Sequence, residues 1–181
     1  MGNTMYAGFH SVVVDAPLGL SIPGHYVKRY AEGTSEPLHL RATAFACGDK
    51  KAVIFNCECI GIRADGYEAI KKKVSAFCDI PEDAIYINCV HSHTSYIIIA
   101  PGDDMDDMDI HLYHLIKLFV DCAKLALEDL KPCKILTAIG EAKDIAYTRR
   151  YRMKNGTVCT NAPSTSPILW DISAHLTIRC V

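Results

Sequence analysis

Two histidines one residue apart, His91 and His93, close the apolar run Ile85-Tyr86-Ile87-Asn88-Cys89-Val90. Neutral imidazole is a good zinc ligand, and side chains at i and i+2 of an extended chain leave by the same face, so both rings can reach one ion. A polar strand terminus is the plain alternative. Further on, Tyr147-Thr148-Arg149-Arg150-Tyr151-Arg152 sets three guanidinium groups among tyrosines. Such a cluster clamps an anionic or carbonyl-bearing ligand bidentately, or guards an exposed strand edge with charge. Two other groupings compete for a metal. The acidic run Asp103-Asp104-Met105-Asp106-Asp107-Met108-Asp109 lacks EF-hand spacing and stands where a helix should begin, so capping and the helix dipole explain it first. His111 and His114, three apart on that helix, read first as surface or interface histidines. Joined to the acidic run they would make a phosphoesterase-type metal site, which stays as a rival.

Those residues need elements to position them. Residues 84–90 read as a buried strand, opened by Pro81 and closed at Thr94-Ser95. Before it, residues 64–77 carry Tyr67, Ile70, Val74 and Phe77 at spacings of three and four with lysines opposite, an amphipathic helix. Residues 39–47 and 51–58 are strands joined by Gly48-Asp49-Lys50, a hairpin turn. Strand, helix and strand from 51 to 90 make a β-α-β unit, which predicts that 51–58 and 84–90 are parallel neighbours. Residues 9–14 form a first strand. The long loop 20–38 is rich in Tyr and His, whose faces need a surface to cover, which speaks against disorder. A second helix spans about 107–130, with Ile110, Leu112, Leu115, Ile116, Phe119, Val120, Ala123 and Leu127 as its apolar stripe and Lys131-Pro132 as its stop. Residues 134–146 alternate as a strand, Asn155-Gly156 signals a tight hairpin, and 174–181 form a last strand. The reading is α/β, a mixed β-sheet flanked by helices, in one domain over residues 1–181.

Composition narrows the class. The chain has 181 residues, half of them hydrophobic and 22% charged, enough for a sizeable core. Net charge is −2, and beyond Lys71-Lys72-Lys73 and Arg149-Arg150 no basic tract stands out, so no nucleic-acid footprint is expected. No membrane span is expected either, since nothing approaches ~18 consecutive apolar residues. The start shows no secretory signal, and nine cysteines, an odd number placed mostly inside apolar patterns, read as buried thiols of a reduced, cytoplasmic protein. Cys57-Glu58-Cys59 reads as core packing rather than half of a zinc site.

Taken in order, these stretches resemble the N-terminal part of the neutral/alkaline (non-lysosomal) ceramidase family. Val14-Asp15-Ala16-Pro17-Leu18-Gly19 is similar to that family's D-I-T-P-P-L-G, and Gly24-His25-Tyr26 through Arg29, Gly33, Pro37-Leu38 and Arg41-Ala42 to its G-Y…R…G…P-L-x-A-R-A. Cys57-Glu58-Cys59-Ile60-Gly61 stands where the family has S-x-D-x-x-G, and Val90-His91-Ser92-His93-Thr94-Ser95 resembles T-H-T-H-S-G-P. Tyr147-Thr148-Arg149-Arg150-Tyr151 is similar to N-R-R, and Trp170-Asp171 through Arg179 to V-D…L-R. The resemblance implies zinc-dependent hydrolysis of an N-acyl amide in a small-molecule or lipid-like substrate. It implies His91 on zinc, His93 beside the metal and substrate, and Arg149 holding the substrate or intermediate. Glu58, Thr148 and Ser95-Tyr96 depart from the pattern, standing for Asp, Asn and Gly-Pro.

The family's other zinc ligands and its serine motif have no counterpart before Val181, which implies a truncated chain that by itself binds zinc poorly and does not turn over substrate. The expectation is then a site in which both imidazoles point into a hollow. Loop 20–38 roofs it, with Tyr26 and Arg29 as its substrate-binding residues, and Arg149 walls it. A non-catalytic binding domain with the same fold remains open, as does an oligomer.

Overall fold

A computed structural model describes residues 4–100, 107–142, 150–153, 156–160 and 178–180 of the chain. Its contacts gather into two units, Met1–Lys134 and Ile135–Val181.

The first unit begins with β1 (Met5–Val13), which pairs antiparallel with β2 (His39–Cys47). At the 48–49 turn Gly48 takes φ +62°, a left-handed conformation that glycine adopts without strain, and β3 (Lys50–Cys57) returns antiparallel. The two-residue β4 (Gly61–Ile62) leads into α1 (Ala64–Cys78), and a 3-10 turn, Glu82–Ala84, precedes β5 (Ile85–Cys89). β5 pairs parallel with β3, Val53 opposite Ile85 through Cys57 opposite Cys89, as the β-α-β reading requires. β6 (Ile97–Ile98) pairs parallel with β4. After α2 (Asp107–Glu128), the short β7 (Lys131–Pro132) pairs with β1. The main sheet therefore runs β5-β3-β2-β1-β7, a mixed sheet with β5 on an edge.

Period-two alternation divides that sheet. Leu40, Ala42 and Ala44 of β2 and Val53, Phe55 and Cys57 of β3 are buried on one face, packed with Ile70 and Val74 of α1 and Phe119, Val120, Ala123 and Ala126 of α2. Phe55 and Phe119 meet edge to face with centroids 5.1 Å apart. Gly8 on β1 lets α2 close in: a Cβ there would stand 2.1 Å from the Ala126 carbonyl oxygen.

Each helix differs from its predicted stripe at one end. On α1 the buried line is Gly66, Ile70, Val74 and Cys78, whereas Phe77 is 60% exposed. On α2 Ile110 is exposed while Leu112, Leu115 and Ile116 are buried. The i, i+4 line of α1 passes through Cys78, and hydrophobicity alone favours its larger neighbour.

Of the predicted strand at 134–146, the part from 140 forms β8 (Gly140–Ala142), paired antiparallel with β11 (Ile178–Cys180), and 143–146 lie outside the described residues. Residues 133–139 run outside any strand, with Leu136 and Ile139 exposed, because alternation without a partner makes no ladder. The Asn-Gly hairpin forms: β9 (Arg150–Arg152) pairs with β10 (Val158–Thr160), and Gly156 takes φ +82° in the turn. Among the described residues no helix is long and apolar enough to cross a membrane.

Candidate functional site

His91 lies just past the carboxyl end of β5, but the chain does not arrive there extended. Its φ is +61°, in the left-handed region that a non-glycine residue rarely adopts. Hydrogen bonds on both sides hold the turn: Val90 N–H donates to the Cys57 carbonyl at 3.1 Å and Ser92 N–H to the Cys59 carbonyl at 3.3 Å. The histidine rings still come together, with centroids 4.9 Å apart in an edge-to-face arrangement. The expected pairing of the imidazoles is thus present, produced by a left-handed turn rather than by strand alternation.

The His91 ring is oriented from its far side. Nδ1 lies 2.7 Å from the Ile60 carbonyl oxygen. A carbonyl only accepts, so Nδ1 carries the proton and donates, and Nε2 of the neutral ring is left with its lone pair. Ligating histidines are commonly held in this way, since the backbone bond fixes both tautomer and ring plane.

Loop 20–38 lies against His93 but does not roof the pair: both His91 and His93 are exposed, which corrects the expected hollow enclosing the two imidazoles. The loop folds back on itself through a bridge between Ser21 and Tyr30 and hydrogen bonds between Ile22 and Arg29 and between Ala31 and Leu20. Gly24, at φ +98°, meets the histidine: a Cβ there would be 2.7 Å from Ile60 Cδ1 and 2.8 Å from His93 Nδ1. His25, which the sequence reading did not single out, brings its ring centroid within 6.1 Å of that of His93. The Arg29 guanidinium donates to the His93 carbonyl, and its Nε is buried without a hydrogen-bond partner. Tyr26 stands fully exposed at the tip of the loop. Arg149 lies outside the described residues.

Ser92 and Thr94, interleaved with the histidines, line a cleft of about 590 Å³ together with Asp15, Glu36, Glu58 and Val90. His91 and His93 are not among its lining residues. Among the described residues no lysine or arginine lines it. Glu58 accepts a hydrogen bond from Arg41 at 2.5 Å and another from the His39 N–H at 2.8 Å. The Arg41 bond above all, opposed by partial burial and helped by His39, holds the carboxyl below its ordinary range. Asp15 accepts from the Leu38 N–H at 2.6 Å, closing the loop onto the end of β1. The cleft is therefore an acidic, hydroxyl-rich recess beside the histidine turn. In the sequence these carboxylates were marked by the family-like stretches that hold them and by their place at strand ends, Asp15 soon after β1 and Glu58 directly after β3.

Other candidates settle into structural roles. Cys57 and Cys59 are fully buried, and the neighbouring Cys57 thiol together with burial pushes Cys59 up to about 12, so it stays protonated and packs as a small apolar group. His111 is half-buried against Tyr96, ring centroids 5.6 Å apart, and burial followed by the nearby His114 pushes its pKa down. His114 is exposed and lines the groove between α1 and α2. Asp103, Asp104 and Asp106 lie outside the described residues, as do the side chains of Asp107 and Asp109. Among the described residues no three histidine, cysteine or carboxylate side chains converge on one metal position.

No protein-family model matches this chain, and no curated protein matches it. Solved structures do. The neutral ceramidase from Pseudomonas aeruginosa superposes with a TM-score of 0.61 at 13% identity, over 84% of this chain and 25% of that one. A ceramidase complexed with C2 gives the same TM-score and identity over 82% of this chain and 25% of that one. The chain thus spans about a quarter of the length of these structures. At this identity the likeness is one of architecture: the mixed sheet and its flanking helices form a ceramidase-like fold.

Proposed function

We propose that this chain carries the histidine-bearing part of a zinc-dependent amide hydrolase of the neutral ceramidase type, acting on a lipid-like or other small N-acyl amide. One observation carries the reading. His91, at a carboxyl end of a mixed sheet, is held by the Ile60 carbonyl in the tautomer that presents a bare Nε2, with a second imidazole beside it. His91 would be a zinc ligand. A catalytic zinc takes about three protein ligands, so the donor set described here is a partial one. Zinc, when bound, supplies Lewis-acid polarisation of the amide carbonyl. The chain's own residues have the other roles. Arg29 and Gly24 fix the loop around His93, which would orient water or substrate, and Arg149 would stabilise charge on the carbonyl oxygen. The absence of a third converging donor among the described residues favours a second reading, a binding domain with this fold and no turnover of its own.

Zinc calorimetry with nitrogen-15 NMR of the histidines separates these. Weak zinc binding that disappears in His91→Ala, persists in His111→Ala, and shifts Nε2 of a His91 ring already protonated at Nδ1 supports the hydrolase reading. No zinc binding at all favours the binding domain. Loss in His111→Ala as well points to a phosphoesterase-type site, and unchanged binding in His91→Ala overturns the proposal.

A further inference from the structure

The two misassigned hydrophobic residues, Phe77 and Ile110, share one place. A groove of about 460 Å³ between α1 and α2 is floored by Phe77, Ile110, Tyr113 and Val120. Its first three are 60%, 53% and 51% exposed, so large apolar side chains stand in water where the helices already bury their sheet-facing sides. Lys73, His114 and Lys117 complete the lining, and among the described residues no carboxylate is part of it. Lys73 sits with Nζ 4.3 Å from the Tyr113 ring centroid and donates to its hydroxyl at 2.9 Å. Lys124 lies 5.9 Å from the Phe77 ring centroid. Asp121 pairs with Lys117 from the same helix face and leaves Lys73 as the least compensated cation of the lining.

We propose that this groove binds a long-chain alkyl carboxylate, its tail along Phe77, Ile110 and Tyr113 and its head on the ammonium group of Lys73. The charge is complementary: an anionic head meets the Lys73 ammonium, while a cationic amphiphile meets like charge. The tail is complementary too. An alkyl chain brings no polar group that would need a partner, and the floor between the lysines offers few. A docked protein is the poorer fit, since stable protein interfaces use roughly 20–30 residues a side, against the seven that line this groove. The inference does not depend on the histidine site, with which the groove shares no residue.

Calorimetric titration of the full chain with octanoate, decanoate and dodecanoate, each below its micelle concentration, tests it. The expected result is one saturable site whose affinity rises roughly tenfold for every two added methylenes. Phe77→Glu, at an exposed position, should weaken decanoate at least tenfold with circular dichroism unchanged, and Lys73→Glu should weaken it several-fold. Decyltrimethylammonium should not compete. The proposal is overturned if the cationic amphiphile binds as well as decanoate, if no saturable site appears, or if the folded lysine variant binds with wild-type affinity. Sedimentation that shows a dimer abolished by Phe77→Glu would instead assign the groove to a second copy of this chain.

Discussion

His91 occupies a backbone conformation that favours glycine, yet it carries the side chain with the most to offer chemically. Strain of this kind persists where the surroundings impose it, and here the bonds from Val90 and Ser92 to the β3 end do so. His91→Gly should therefore be more stable than His91→Ala by about 1 kcal/mol, although both lose the imidazole. Urea midpoints of the two variants check this, and equal midpoints would mean the turn is unstrained. Glu58 poses a titration question. Its carboxyl is held below the usual range chiefly by Arg41, so its contribution to stability is fully present above its unfolded pKa near 4.5. That contribution is lost as the pH falls below 4.5 through the lower folded value. Glu58→Gln should flatten the acid limb of the stability curve there and leave its shape near neutral pH unchanged, as thermal melts across pH would report. At this scale the sequence was legible in residue type and illegible in geometry. The histidine spacing announced the pair, but nothing in it announced a positive φ at His91 or a third ring from His25.

Elements hold the histidine turn through one long-range bond in particular. Where the resembling family has Gly-Pro after the histidines, this chain has Ser95-Tyr96, and both residues are buried. The Tyr96 hydroxyl donates to the Val14 carbonyl at 2.6 Å, tying the segment after the histidines to the end of β1. Ser95 Oγ, by contrast, has no partner among the described residues. Tyr96→Phe would leave the Val14 carbonyl buried and unpaired, at about 1–3 kcal/mol. Denaturant unfolding should show that loss, and the amide resonances of residues 91–95 should shift. Helices and ladders were the most legible part of the chain, since Ile70 and Val74, or Val53, Phe55 and Cys57, repeat with the period of their element. The ends of helical stripes were not. Phe77 and Cys78 are adjacent in the chain, and size misleads about which one faces the core. Residues 134–139 failed for another reason: an alternating pattern states which side is apolar, not whether a neighbouring strand exists.

Across the first unit, the topology explains why a fold emerged clearly while the chemistry did not. The β2–β3 hairpin and the parallel β3–β5 pair follow from local patterns and connection rules, and the ceramidase-like likeness agrees with them. A metal site gathers ligands from remote parts of a chain, and a sequence read locally sees each donor alone. One arrangement has a measurable corollary. Both helices pack against the same face of the sheet as Val53, Phe55 and Cys57, while Phe9, Thr43, Ile54 and Tyr86 stand in register across the other. Saturation mutagenesis scored by abundance should then stripe β3 like a zebra. Charged replacements at 53, 55 and 57 should deplete the protein, and those at 54 and 56 should pass almost unnoticed. A strand that recorded uniform intolerance would instead be sandwiched, and the cell would have revealed a second layer pressed against this sheet.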